Sequence, residues 1–218
     1  MMGLLLLAVG PALAAPIAAV SRPPQPARPP VGSGSSTGGG QAAEGDVDEE
    51  VPIAMALLTS QGTVDCTLEP AWAPVSVRTF VMLATGEKPW IDPDTGETTS
   101  RPLYDGTLFH RVIPGFLVQG GDPTGTGTGG PGFMLPEETA ASVFERPGLL
   151  GLANRGPNTT GSQFFVTLGP AHHLDGRYTA LGHCQDLDVL ARIAAVPRGD
   201  KNRPERPPVL RAVSFAPR

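Results

Sequence analysis

The chain has 218 residues, 40% of them hydrophobic, with 28 glycines, 25 prolines and a net charge of -5. That length holds one ordinary domain with a sizeable core and leaves room for tails. The negative balance, with an acidic run from Glu44 to Glu50, argues against a nucleic-acid partner, because binding phosphates takes a basic face.

At the start, Leu4 to Val9 is apolar and Pro11-Ala12-Leu13-Ala14-Ala15 supplies small residues. The run is too short to span a bilayer and reads as a signal peptide over residues 1–15, cleaved near Ala14 or Ala15. No Lys or Arg precedes it, the first basic residue being Arg22, which is compatible with a truncated or misplaced start. The absence of a cysteine near the cleavage point argues against a lipid anchor. Residues 16–50 are rich in Pro, Gly and Ser, turn acidic at the end and hold hardly any large apolar side chain, so they predict a disordered linker. The expectation is an exported bacterial protein, periplasmic or associated with the cell envelope, with no integral membrane span.

From Val51 to the end the texture is that of a folded domain, with short apolar runs between turn signals. Ile53 to Thr59 and Thr63 to Leu68 flank Ser60-Gln61-Gly62 and predict a β-hairpin. Val77, Phe80, Val81 and Ala84 recur at helical spacing after Pro74, and Gly86 marks a helix end. Residues 87–103 form a polar, turn-rich stretch around Trp90, either a functional loop beside a groove or an inserted surface loop with Trp90 fixed to the body. Further strands are expected at Leu108–Val112, Phe116–Gln119, Gly148–Ala153, Phe164–Leu168, Thr179–His183 and Val209–Phe215. A second helix carries Leu187, Leu190, Ala191 and Ala194 and stops by Pro197. Many strands with two helices suit a closed antiparallel barrel with a helix at each end.

Two runs carry the chemistry. Phe109-His110-Arg111-Val112-Ile113-Pro114-Gly115-Phe116-Leu117-Val118-Gln119-Gly120-Gly121-Asp122 sets one arginine among apolar and aromatic residues. Strand alternation sends Phe109, Arg111 and Ile113 one way. A guanidinium is a permanent cation with five donors in a rigid fork, suited to a site that needs charge without proton transfer; the plainer reading is that Arg111 snorkels outward or pairs with a core carboxylate. The second run, Gly151-Leu152-Ala153-Asn154-Arg155-Gly156-Pro157-Asn158-Thr159-Thr160-Gly161-Ser162-Gln163-Phe164-Phe165-Val166, adds aromatic and amide side chains.

Other chemistries fit poorly. The Gly-rich stretch from Gly120 to Gly130 lacks the Gly-Lys-Ser/Thr ending of a phosphate loop. His110, His172, His173 and His183 lack zinc spacing, and no nucleophile elbow surrounds Ser162. Cys66 and Cys184 are the only cysteines; they read either as a disulfide or as two unpaired core thiols.

Together the two runs resemble the signature segments of the cyclophilins, the prolyl cis/trans isomerases, and the likeness covers Val51 to Phe215. It implies a mainly β fold, an eight-stranded antiparallel barrel capped by two helices, with an isomerase activity that needs neither cofactor nor metal. It implies proline-containing polypeptides as substrates, a monomer, and a role in folding exported proteins; the alternative is a non-catalytic proline-peptide-binding or chaperone module on the same fold. Carried over position by position, Arg111 is the catalytic arginine, Gln119 orients it, and Phe116, Leu117, Phe165 and Leu174 form the proline pocket. Ala153, Asn154 and Gln163 line the peptide groove, Asn154 chiefly through its backbone, with Gly127 at the rim. Phe164 is expected to point the other way, into the barrel. Three positions depart from the usual pattern. His173 replaces a tryptophan, which implies weak cyclosporin binding; Tyr178 replaces a histidine but keeps an aromatic wall; and Arg155 replaces a small residue, as a cationic rim favouring acidic peptides or as a solvated surface arginine.

Overall fold

The computed structural model describes residues 51–216; the expected signal peptide and linker lie outside the described residues. The chain opens with the hairpin β1 (Ile53–Thr59) and β2 (Gly62–Leu68). Met55 and Leu57 on one strand, and Val64, Cys66 and Leu68 on the other, turn inward at a period of two. Then come α1 (Pro74–Thr85), a two-stranded hairpin of β3 (Trp90–Ile91) and β4 (Thr98–Thr99), β5 (Arg111–Ile113) and β6 (Leu117–Gly120). β7 (Leu149–Leu152), β8 (Phe164–Thr167), β9 (Ala180–Cys184), α2 (Leu187–Ala194) and β10 (Leu210–Phe215) complete the fold.

Eight strands form one antiparallel sheet in the order β10-β1-β2-β9-β7-β8-β6-β5, curled into a half-barrel. Its two edge strands do not pair along their length. They meet through Leu108, which bridges to both Val209 and Asp122, and through the Phe109 N–H donating to the Pro208 carbonyl. This junction alters one expectation. Leu108–His110 precedes β5 instead of belonging to it, so alternation does not run through, and Phe109 turns into the core with Val112 while Arg111 and Ile113 face out half-buried. Phe109 and Arg111 therefore lie on opposite sides.

The interior is an aromatic cluster in which Phe80 stacks on Tyr104 at 4.6 Å and Phe164 meets Phe80, Tyr104 and Phe109 edge-on. Proline at its first turn starts α1, and Gly86 ends it at φ 82. A side chain at Gly86 would collide with the Ser100 carbonyl. Two orphan N–H groups of the helix N-terminus, from Val75 and Ser76, donate to the Glu138 carboxylate. In α2 the buried face is Val189, Leu190, Ile193 and Ala194, whereas Leu187 is 38% exposed; the apolar repeat read from Leu187 and Ala191 was offset from the true face. Cys66 and Cys184 oppose each other across β2 and β9 and form a disulfide, which decides between the two readings of these cysteines.

Candidate active site

Strand register assembles the centre of the site. Arg111 on β5 lies opposite Gln119 on β6, Gln119 opposite Phe165 on β8, and Phe165 opposite Gly151 on β7. Directly opposed residues share a sheet face, so a cation, an amide and an aromatic ring stand in one row on the outer face. Phe164, one residue on, goes to the interior as alternation requires. The fourth member of the row has no side chain because the Phe165 and Phe144 rings occupy that space.

A recess of about 230 Å³ opens over this row, lined by Arg111, Phe116, Leu117, Gln119, Ala153, Asn154, Phe165, His173, Leu174 and Tyr178. Phe116 follows the Pro114-Gly115 turn, where Gly115 takes φ 73, and packs against the His173 ring at 5.1 Å. The Tyr178 ring meets Phe165 edge-on at 5.7 Å. Beneath the recess, Leu117, Phe144, Phe165 and Leu174 belong to a second buried cluster outside the barrel core. Leu174 is delivered by a single 3₁₀ turn, His172–Leu174.

Arg111 is half-buried and donates through Nη1 to Gln119 Oε1 at 3.1 Å. Among the described residues no carboxylate pairs with it, so its charge stands unneutralised at the recess; it neither snorkels free nor joins a core ion pair. Asn154 spends its side chain within the protein, with Nδ2 donating to the Arg177 carbonyl and Oδ1 accepting from the Gly156 N–H. Its backbone is the part left beside the groove.

Gly127, Arg155 and Gln163 lie in an adjoining recess of about 340 Å³ that shares Gln119, Ala153 and Asn154 with the first. Arg155 is exposed, as the surface reading expects, and its guanidinium reaches across to donate to the Gly127 carbonyl at 2.8 Å, tying the two lips of the groove. The stretch at 87–103 is fixed to the body through Trp90 and runs beside the groove. Trp90 is 1% exposed and donates Nε1–H to the Arg101 carbonyl, while Pro93 at the hairpin tip lines the second recess.

Four residues were missed. Asp122 is fully buried and accepts from Thr124, Gly127 and Gly129; burial alone would raise its pKa, but those donors outweigh it and the carboxyl is held below its ordinary value. An aspartate opening a Gly/Thr turn is a readable Asx-turn signal. Gly151 and Phe144 carry no such signal, because their role depends on which ring packs where. His110 is buried with neither ring nitrogen hydrogen-bonded, and its pKa is lowered chiefly by desolvation against an opposing pull from Asp122. Among the described residues no helix is long and apolar enough to cross a membrane, and no three His, Cys, Asp or Glu side chains cluster to hold a metal.

The family model described as cyclophilin type peptidyl-prolyl cis-trans isomerase matches residues 54–214. Peptidyl-prolyl cis-trans isomerase B of Streptomyces anulatus is 46% identical over 152 residues, covering 66% of this chain and 87% of its own. Peptidyl-prolyl cis-trans isomerase A of Mycobacterium tuberculosis is 41% identical over 172 residues, 76% of this chain and 94% of its own. Among solved structures, a cyclophilin type isomerase of Cryptosporidium parvum matches with a TM-score of 0.67 and 27% identity over 77% of this chain and 99% of that one. A second structure of it, in the presence of the dipeptide Ala-Pro, matches with a TM-score of 0.64 and 28% identity.

Proposed function

The chain belongs to the cyclophilin-type peptidyl-prolyl cis-trans isomerase family, and from that premise we propose that the Arg111 recess turns Xaa-Pro bonds in exported polypeptides. The carrying observation is the row Arg111, Gln119, Phe165 beneath a recess walled on one side by Phe116, Leu117, Phe165 and Leu174.

Rotation about a peptide bond faces a barrier of roughly 18–20 kcal/mol because it breaks amide resonance. An acceleration of about 10⁵-fold asks for roughly 7 kcal/mol of differential stabilisation. No nucleophile is required. Phe116, Leu117, Phe165 and Leu174 grip the proline ring and strip water from the amide, while the Asn154 backbone holds the flanking peptide still. Arg111 bonds the prolyl carbonyl and, as the bond twists, favours the pyramidal, more basic nitrogen; this contact strengthens only on the way to the transition state. Gln119 holds the guanidinium in place. The solved relative studied with Ala-Pro supports proline-containing peptides as the substrate class. The test is relaxation of a short Xaa-Pro peptide from cis to trans with the purified protein: acceleration supports the isomerase, and none by a folded protein returns the groove to a binding role.

The export reading rests on the apolar and small-residue start of the sequence and is supported by the Cys66–Cys184 disulfide, since such bonds persist in oxidising compartments. In that setting the enzyme assists folding of exported proteins, from the periplasm or cell envelope. Mass spectrometry of the protein recovered from cells tests it: a mature start just after Ala14 or Ala15 is expected, and an intact Met1 in a cytoplasmic fraction contradicts it. With His173 in place of the indole, cyclosporin binding is weak.

A further inference from the structure

Arg111 can only donate, and this fixes the polarity of every amide behind it. Its Nη1 bonds Gln119 Oε1, so Gln119 Nε2 turns away and donates to Gln163 Oε1 at 3.0 Å; Gln163 Nε2 then donates to the Gly129 carbonyl at 2.9 Å. The chain of donors ends on a loop, and a loop carbonyl is only as well aimed as the backbone carrying it. That backbone is held from inside by Asp122. Its Oδ2 accepts the N–H of Gly127 at 2.6 Å and of Gly129 at 3.0 Å, and its Oδ1 accepts the N–H and the hydroxyl of Thr124, each at 2.8 Å. No side chain fits at 129, because a Cβ there would overlap Asp122 Oδ1 and press on Thr124. Asp122 lines neither recess.

We propose that Asp122 is a positioning residue for Arg111, acting through Gly129, Gln163 and Gln119; this rests on the reading of Arg111 as the catalytic cation. The charge matters as well as the shape, since a carboxylate holds N–H donors about twice as strongly as a neutral acceptor. Asp122→Asn keeps the size but sets an NH₂ group against N–H donors, so the loop shifts and the amide chain loses its anchor.

The experiment is a double-mutant cycle in the full chain, read as kcat and KM on an Xaa-Pro peptide with circular dichroism to verify folding. Asp122→Asn lowers kcat about tenfold and changes KM by less than about twofold. Added to Arg111→Ala, the same substitution changes kcat by less than about twofold, because residues acting through one another are not additive. Gly129→Ala repeats the cycle from the loop side and carries it if the asparagine variant does not fold. A folded variant with native kcat, a loss confined to KM, or an undiminished tenfold loss in the Arg111→Ala background overturns the proposal. Native kcat in Arg111→Ala alone overturns the catalytic reading and the proposal with it; native kcat only in the Asp122 and Gly129 variants overturns the proposal and leaves that reading standing.

Discussion

The Phe165 ring fills the place a side chain would take at Gly151: an ideal Cβ on Gly151 lies 2.8 Å from Phe165 Cζ and 3.0 Å from the Phe144 ring. Gly151→Ala therefore pushes Phe165 into the proline recess. Overpacking of this kind costs about 1–3 kcal/mol of stability, and the narrowed recess raises KM as well. Thermal melts alongside peptide kinetics check both; a stable variant with native KM would show that the ring has room to move.

Cys66 and Cys184 close a loop with a sequence separation of 118. Loop-closure entropy for a loop of that size is worth about 4–5 kcal/mol. Cys66→Ser or strong reductant is expected to lower the melting temperature by many degrees. Reductant should then have no further effect on the serine variant.

Stability falls on mild acidification because of His110. It is buried without a hydrogen-bond partner and faces Asp122, Arg203 and Arg111, with its pKa lowered chiefly by desolvation from an unfolded value of 6.5. Below that value the unfolded chain takes up a proton that the folded chain refuses. The contribution is complete above pH 6.5 and is lost as pH drops from there toward the folded pKa, by at most about 1.4 kcal/mol per pH unit. Urea melts between pH 7 and 5 should show this slope, and His110→Asn should flatten it.

His173 packs its ring on Phe116 at the edge of the recess. His173→Trp supplies an indole donor and a larger face, so cyclosporin inhibition is expected to tighten about tenfold or more, or ~1.4 kcal/mol. Titration calorimetry checks it, with turnover of a short peptide changed little.

Much of this was legible in the sequence because it depends on local pattern. β1 runs from Ile53 to Thr59 as alternation required, Gly86 ends α1, and Phe164 and Phe165 part to opposite faces. The family likeness placed Arg111, Gln119 and Phe165 in one site, and register explains how they meet. What was not legible depends on contacts between distant segments. Phe109 left the Arg111 face because the sheet edges meet at Leu108, and Arg155 found the Gly127 carbonyl across the groove. Glu138 caps a helix that begins 64 positions earlier, by the numbering of Pro74. None of these partners lies within reach of a local periodicity.

The most direct test follows cis-to-trans relaxation of a short Xaa-Pro peptide with the native protein and with Arg111→Ala. Acceleration by the native protein that falls at least about a hundredfold in a folded Arg111→Ala variant, ~2.7 kcal/mol of transition-state stabilisation, is the expected result. Equal acceleration by the two proteins would contradict a mechanism that rests on this guanidinium.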